Sequence, residues 1–70
     1  MSRTLRVPIQ RVEAVTVANL PDDTYGCLVR LRAHASVLEV LMPVAELERL
    51  VNGAAGVIPA VKTARRHADN

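Results

Sequence analysis

The chain has no phenylalanine, no tryptophan and a single tyrosine, Tyr25, although half of its 70 residues are hydrophobic. Valine, leucine and alanine must therefore fill the core, and a core of small aliphatics in so short a chain supplies no more than about 3–5 kcal/mol. Cysteine is almost as scarce. Cys27 stands alone, so no disulfide forms within one chain, and with only His34 and His67 beside it the spacing fits no zinc pattern. The usual staples of a small domain are missing, while a chain of this size buries only about 60% of the surface its unfolded form exposes. Self-association is the remaining route to stability. The composition thus predicts a homo-oligomer, a dimer being favoured, with neither cofactor nor metal.

Other absences narrow the function. Gly26, Gly53 and Gly56 are isolated, so no glycine-rich loop is available to cradle a phosphate. The longest apolar run, Val40 to Ala45, is six residues and contains Pro43; a membrane helix needs about 20. The opening MSRTLRVPIQR breaks any leader-like apolar stretch with Arg6, Pro8 and Arg11, and a solitary cysteine suits a reducing compartment. A cytoplasmic protein without a membrane segment is expected.

Net charge is +2, and its placement is uneven. In residues 1–53, Arg3, Arg6, Arg11, Arg30, Arg32 and Arg49 balance Glu13, Asp22, Asp23, Glu39, Glu46 and Glu48, whereas Lys62, Arg65 and Arg66 face only Asp69 further on. A neutral body with a basic end is not the footprint of a domain built around nucleic acid.

Along the chain, Leu5, Val7 and Ile9 alternate with Arg6, Pro8 and Gln10, which predicts a short extended arm that Pro8 confines to a sheet edge or sends onto a neighbouring subunit. Residues 12–20 are rich in β-branched side chains, and a shift of apolar phase near residues 10–14 predicts a bulge. Pro21-Asp22-Asp23-Thr24 is hairpin-turn chemistry, with Gly26 easing re-entry. Cys27, Val29, Leu31 and Ala33 then alternate with Leu28, Arg30, Arg32 and His34, a half-buried strand. Val37 to Met42 is apolar except at Glu39, with Leu38, Val40 and Met42 on one side and Val37 and Leu41 on the other; a strand apolar on both sides needs two covers. From Pro43 a helix of about ten residues is expected, with Glu46 and Glu48 early and a stripe of Val44, Leu47, Leu50 and Val51 docked over β-strand residues 38, 40 and 42. Asn52-Gly53 is read as its end, Ala54-Ala55-Gly56 as a linker, and the remainder as a basic tail or a second helix from Pro59.

The expected fold class is accordingly α+β: a small antiparallel three-stranded β-meander with an N-terminal edge arm and one short helix, spanning 1–53, then a basic C-terminal tail or short helix over 54–70.

Each feature that resembles chemistry has a simpler reading. Cys27 and His34 are the only candidate nucleophile and base, yet on a strand they point to opposite faces and lie about 23 Å apart. Asp22 and Asp23 are turn residues before they are paired acids. Arg30, Arg32 and His34, joined by Arg11, make a basic stripe, but Glu13 and Glu39 on adjacent strands are placed to neutralise it, and no aromatic stacking platform accompanies it. Lys62, Arg65, Arg66 and His67 form a better isolated basic patch. The self-association or partner surface is assigned to Leu5, Val7, Ile9, Val37 and Leu41.

The strand-to-helix junction V-L-E-V-L-M-P-V-A-E-L-E-R-L, with the strands before it, resembles short uncharacterised sheet-then-helix proteins of actinobacteria and their phages, over about residues 12–53. The resemblance implies a small cytosolic accessory or regulatory role and carries over no catalytic residue. The expectation is a non-enzymatic interaction or regulatory protein acting as a homo-oligomer, with a phage origin and a host protein as partner among its implications; the alternative is a small nucleic-acid-binding regulator that uses its basic end.

Overall fold

The computed structural model describes residues 2–69; Met1 and Asn70, the outer ends of the two expected segments, lie outside that range. Three strands and one helix follow one another: β1 (Ile9–Asn19), β2 (Tyr25–Ala33), β3 (Val37–Pro43) and α1 (Val44–Asp69). The sheet is an antiparallel meander in the order β1-β2-β3. This is the expected α+β class.

Of the two places expected for the arm, the sheet edge of its own chain is not taken. Residues 2–8 join no strand, and the ladder begins at Ile9, immediately after Pro8, which has no N–H to give it. The bulge is where the apolar phase shifts: the pairing of β1 with β2 slips between Ile9 and Arg11 and again between Val12 and Ala14. The second slip sets both Glu13 and Ala14 against Arg30, which turns Glu13 to the arginine side of the sheet.

The first hairpin closes as its turn residues require. Leu20 N–H donates to the Thr24 carbonyl at 2.8 Å and Asp23 N–H to the Leu20 carbonyl at 3.0 Å. The Asp22 carboxylate accepts from the Thr24 hydroxyl at 2.6 Å and from its N–H at 3.3 Å, which pulls the Asp22 carboxyl below its usual range. Asp23 takes the left-handed backbone region at φ 64°, which aspartate tolerates. Gly26 serves another purpose than a positive φ. A Cβ there would lie 2.5 Å from the Met42 carbonyl oxygen and 2.8 Å from Leu20 Cδ1, so glycine is needed for close strand approach.

Register places Val17, Val15 and Val12 opposite Cys27, Val29 and Leu31, and these in turn opposite Met42, Val40 and Leu38. Directly opposed residues share a face, so one side of the sheet is apolar across these three rows, with valine and leucine its main constituents. The buried hydrophobic side chains, Cys27, Val29 and Ala33, all belong to the central strand on this face.

The helix does not end at Asn52-Gly53. It runs unbroken from Val44 to Asp69 through both glycines and Pro59. Neither Gly53 nor Gly56 has the positive φ of a helix C-cap, and alanines 54, 55, 60 and 64 around them favour helix. Pro59 forfeits one backbone bond; the Thr63 hydroxyl donates to the Pro59 carbonyl at 3.0 Å. Glu46 in the first turn and Arg66 and His67 in the last suit the helix dipole. At 26 residues the helix is about 39 Å long, longer than the sheet it must cover. It touches β2 and β3, and only Leu47 and Ala54 along it are half-buried; from Ala55 to Ala68 every residue is exposed. The molecule is correspondingly elongated, 51 × 30 × 28 Å, with a radius of gyration of 15.0 Å, where a compact chain of this length has about 11 Å.

Candidate functional site

Two groups of charges and two apolar surfaces are the features from which a function can be built. The first charge group is complete in itself. Glu13, brought onto the sheet by the bulge, accepts from Arg32 Nε at 2.7 Å, from Arg30 Nε at 3.2 Å and from Arg11 at 3.2 Å. Arg30 also meets Glu39 at 3.5 Å. The Arg32 hydrogen bond above all, opposed by some desolvation and helped by Arg11 and Arg30, lowers the Glu13 pKa to about 2. Arg30 and Arg32 are thus engaged by carboxylates within the sheet, as expected for a solvated face, and offer little to a phosphate.

The second group is unpaired. Lys62, Arg65, Arg66 and His67 stand exposed on the last turns of α1, and among the described residues none makes an ion pair. Helical spacing puts Lys62, Arg65 and Arg66 within one side of the helix. Near the other end, Glu46 faces Arg49 at 3.9 Å, and Glu48 has no ion-pair partner among the described residues.

The residues expected to form an interface divide. Leu5 is 82% exposed on the arm, with Val7 and Ile9 less so, and Leu41 is 46% exposed on β3; Val37, in contrast, is half-buried. They do not converge, because Val37 and Leu41 lie on the charged face, level with Arg32 and Leu28, while Ile9 pairs with Ala33 on the aliphatic one.

Two larger apolar surfaces fall elsewhere. On the aliphatic face of the sheet, Val12, Val15 and Val17 are uncovered, Val17 to 80%. Along α1, Val44, Leu47, Val51, Ala54, Ile58 and Val61 recur at alternating spacings of three and four, flanked by Leu50 and Val57; Val51 is 59% exposed and Ile58 50%. The sequence carries this second signal, since the three-and-four alternation continues across Gly53-Ala54-Ala55-Gly56 without a break in phase. Reading the glycines as a stop conceals it.

Among the described residues there is no cluster of histidine, cysteine and acidic side chains placed to hold a metal, and no pocket. Cys27 is buried and its thiol is unpaired, while His34 lies exposed beyond the end of β2. Among the described residues no helix is long and apolar enough to cross a membrane. No family model matches the chain, and no curated protein or solved structure is significantly similar to it.

Proposed function

We propose that the chain is a non-enzymatic interaction protein that works as a homo-oligomer. One observation carries this reading: the accessible surface is 6289 Å² for 7.6 kDa, against about 4,300 Å² for a compact monomer of that mass. The excess of about 2,000 Å² is well above the roughly 800 Å² that each partner buries in an ordinary stable interface. The exposed surface includes Val12, Val15 and Val17 on the sheet and Val51, Val57 and Ile58 on the helix, and apolar area of this kind is what obligate assemblies cover. Within this reading the protein is a cytoplasmic adaptor or regulator, of the kind its strand-to-helix junction resembles in actinobacteria and their phages, and a host protein is a second partner.

Size-exclusion chromatography with light scattering tests the first part. The expected result is a dimer or larger species at micromolar concentration, with unfolding that depends on protein concentration. A monomer that unfolds cooperatively at a concentration-independent temperature overturns it.

A second reading, a small nucleic-acid-binding regulator, draws on the placement of Lys62, Arg65 and Arg66 along one side of α1 without acidic partners among the described residues. Oligomerisation would multiply such a weak patch. A gel shift that weakens steeply with salt and disappears on truncation at Gly56 supports this reading; no shift at low salt rejects it.

A further inference from the structure

A homo-oligomer, the reading on which this inference rests, can form through either edge of the sheet or through the helix. We propose that two copies join β1 to β1, antiparallel and centred on Val17, so that the two meanders become one continuous sheet.

The backbone selects the residues that can pair. Leu20 N–H donates to the Thr24 carbonyl, so Leu20 is turned to β2, and by the alternation of an antiparallel ladder Ala18 and Thr16 are too. Val15, Val17 and Asn19 therefore direct their N–H and C=O groups away from β2, at the free edge. The bulges disturb β1 only as far as Ala14, which leaves 15–19 a regular stretch with Val17 at its middle. Pairing this stretch with itself sets Val17 opposite Val17 of the second copy and Val15 opposite its Asn19, with about six backbone hydrogen bonds between the copies. No part of the same chain is in the way: Val17 is 80% exposed and Val15 53%, the arm joins no strand, and α1 rests on β2 and β3.

The other edge is blunted. Ala33 N–H donates to the Ser36 carbonyl, so Ala33 is turned to β3 and, by the same alternation, Leu38, Val40 and Met42 are turned to β2. The free edge of β3 is then Val37, Glu39, Leu41 and Pro43. Pro43 has no N–H to give. Pairing Val37 to Leu41 with itself would also set Glu39 directly opposite Glu39 of the second copy, a like-charge pair that destabilises a ladder. On β1 the residue at the centre is a valine.

Symmetry and charge fix the direction. A closed pair of identical copies has a two-fold axis. With antiparallel strands that axis runs through the sheet and keeps both apolar faces on one side, so Val15 and Val17 of the two copies share a surface. With parallel strands it runs along the strands and turns the two apolar faces to opposite sides. Antiparallel strands also carry Arg11 of each copy towards the Asp22-Asp23 turn of the other, whereas parallel ones set Arg11 beside Arg11. Both copies of α1 then stand on the apolar side of the joined sheet. The stripe from Val51 to Val61 continues the phase of Leu47 and Ala54, so it is turned to the side on which the valines of both copies lie.

Amide hydrogen exchange on the native chain reads the edge directly. Protection at Val15, Val17 and Asn19 should exceed that at Val37, Glu39 and Leu41 by about a hundredfold or more. The reverse order moves the pairing to β3, and fast exchange at both edges of a chain that is still dimeric places the interface elsewhere; either result overturns the proposal while the homo-oligomer stands. Protection at both edges, in species that grow with concentration, shows open β1-to-β3 stacking and overturns the closed pair. A native chain that stays monomeric up to millimolar concentration overturns the pairing and the homo-oligomer together. Val17→Pro removes only an outward N–H, which an edge strand tolerates, so it should keep the strand signature in circular dichroism and raise the dimer dissociation constant by about a hundredfold or more. Val17→Lys, which sets like charges opposite each other at an exposed position, should raise it by about tenfold or more. A dimer undisturbed by both substitutions overturns the pairing. Under mild oxidation Val17→Cys should form a covalent dimer, because directly opposed Cα atoms lie about 5.5 Å apart, with the native chain and its buried Cys27 as the blank. Val15→Cys should not, since positions 15 of the two copies are about 13 Å apart along the strands. Cross-linking at both positions shows parallel strands and overturns the direction; cross-linking at 15 alone overturns the register.

Discussion

The sheet and the helix of this molecule solve the same electrostatic and packing problem to different degrees. In the sheet, Glu13 is held by three arginines and the central strand is buried between its neighbours. In the second half of the helix, cations stand without carboxylates among the described residues and aliphatics face solvent. Both regions carry alternating apolar and charged residues at the proper period, so the difference does not lie in local sequence quality. It lies in what one copy can bring together. Short hairpins let each strand meet the next within a few residues, whereas a helix of about 39 Å leaves its own body after three turns. Interactions that the sheet completes within the chain, the helix completes only with something outside it.

Breaking the region that is complete should cost most. Val29→Asp places a carboxylate at a position only 5% exposed, with Val15 and Val40 on either side and no cation on that face. Burying an unpaired charge costs several kcal/mol, as much as the roughly 3–5 kcal/mol such a small core supplies. No cooperative unfolding transition should remain in a denaturant titration followed by circular dichroism. Next comes Gly26→Ala. Its Cβ would press on the Met42 carbonyl oxygen at 2.5 Å, a backbone atom that moves only if β3 moves. A loss of about 1–3 kcal/mol, read as a lower denaturation midpoint at unchanged slope, is expected. The same substitution at Gly53, where a new Cβ meets nothing within 4 Å, should instead stabilise by about 0.5–1 kcal/mol. The two glycines therefore report separately on a crowded sheet and an open helix.

Most of the sheet is legible in the sequence because its signals are local. The turn chemistry of Pro21 to Thr24, the strict alternation from Cys27 to Ala33 and the phase shift that becomes the bulge each act over fewer than ten residues. Glu13 as partner of the arginines is legible too, since the bulge and the register follow from the same pattern. The helix is not, for a physical reason: Gly53 and Gly56 stop a helix only when one of them adopts positive φ, and nothing within a ten-residue window decides that. The longer apolar period across them does. The arm misleads in the opposite sense, because alternation from Leu5 to Ile9 is present but no strand accepts it. With the helix cut short at Gly53, the arm and β3 are the only apolar surfaces left to pair, and the aliphatics at 57, 58 and 61 pass for a tail.

The comparison can be sharpened by pH. The Glu13 pKa is lowered to about 2 by Arg32, Arg11 and Arg30, whereas an unfolded glutamate titrates near 4.3. A carboxyl with a depressed folded pKa binds protons more readily when unfolded, so its contribution is fully present above about pH 4.3 and is lost as pH falls towards 2. Melting temperature should drop across that window in the native chain. In Glu13→Gln the melting temperature should be lower at neutral pH and the drop between pH 4.3 and 2 shallower. An unchanged slope would mean that the bulge carboxylate is not what couples the sheet to pH.

The smallest effect is expected from Arg66→Ala, and it bears on the helix. Arg66 is exposed in the last turn of α1, where it complements the helix dipole but lies outside the apolar seam. Arg65, one position earlier, continues the three-and-four spacing of Val51, Ala54, Ile58 and Val61. Removing Arg66 should therefore leave the dimer dissociation constant within about twofold, while Arg65→Ala should raise it several-fold through lost packing of the stem as well as lost charge. Sedimentation equilibrium of the two variants at the same ionic strength separates them. Equal and large losses from both would mean that the basic end acts as a diffuse cationic patch, which is the behaviour of a phosphate-binding surface and not of an apolar contact in a fixed register.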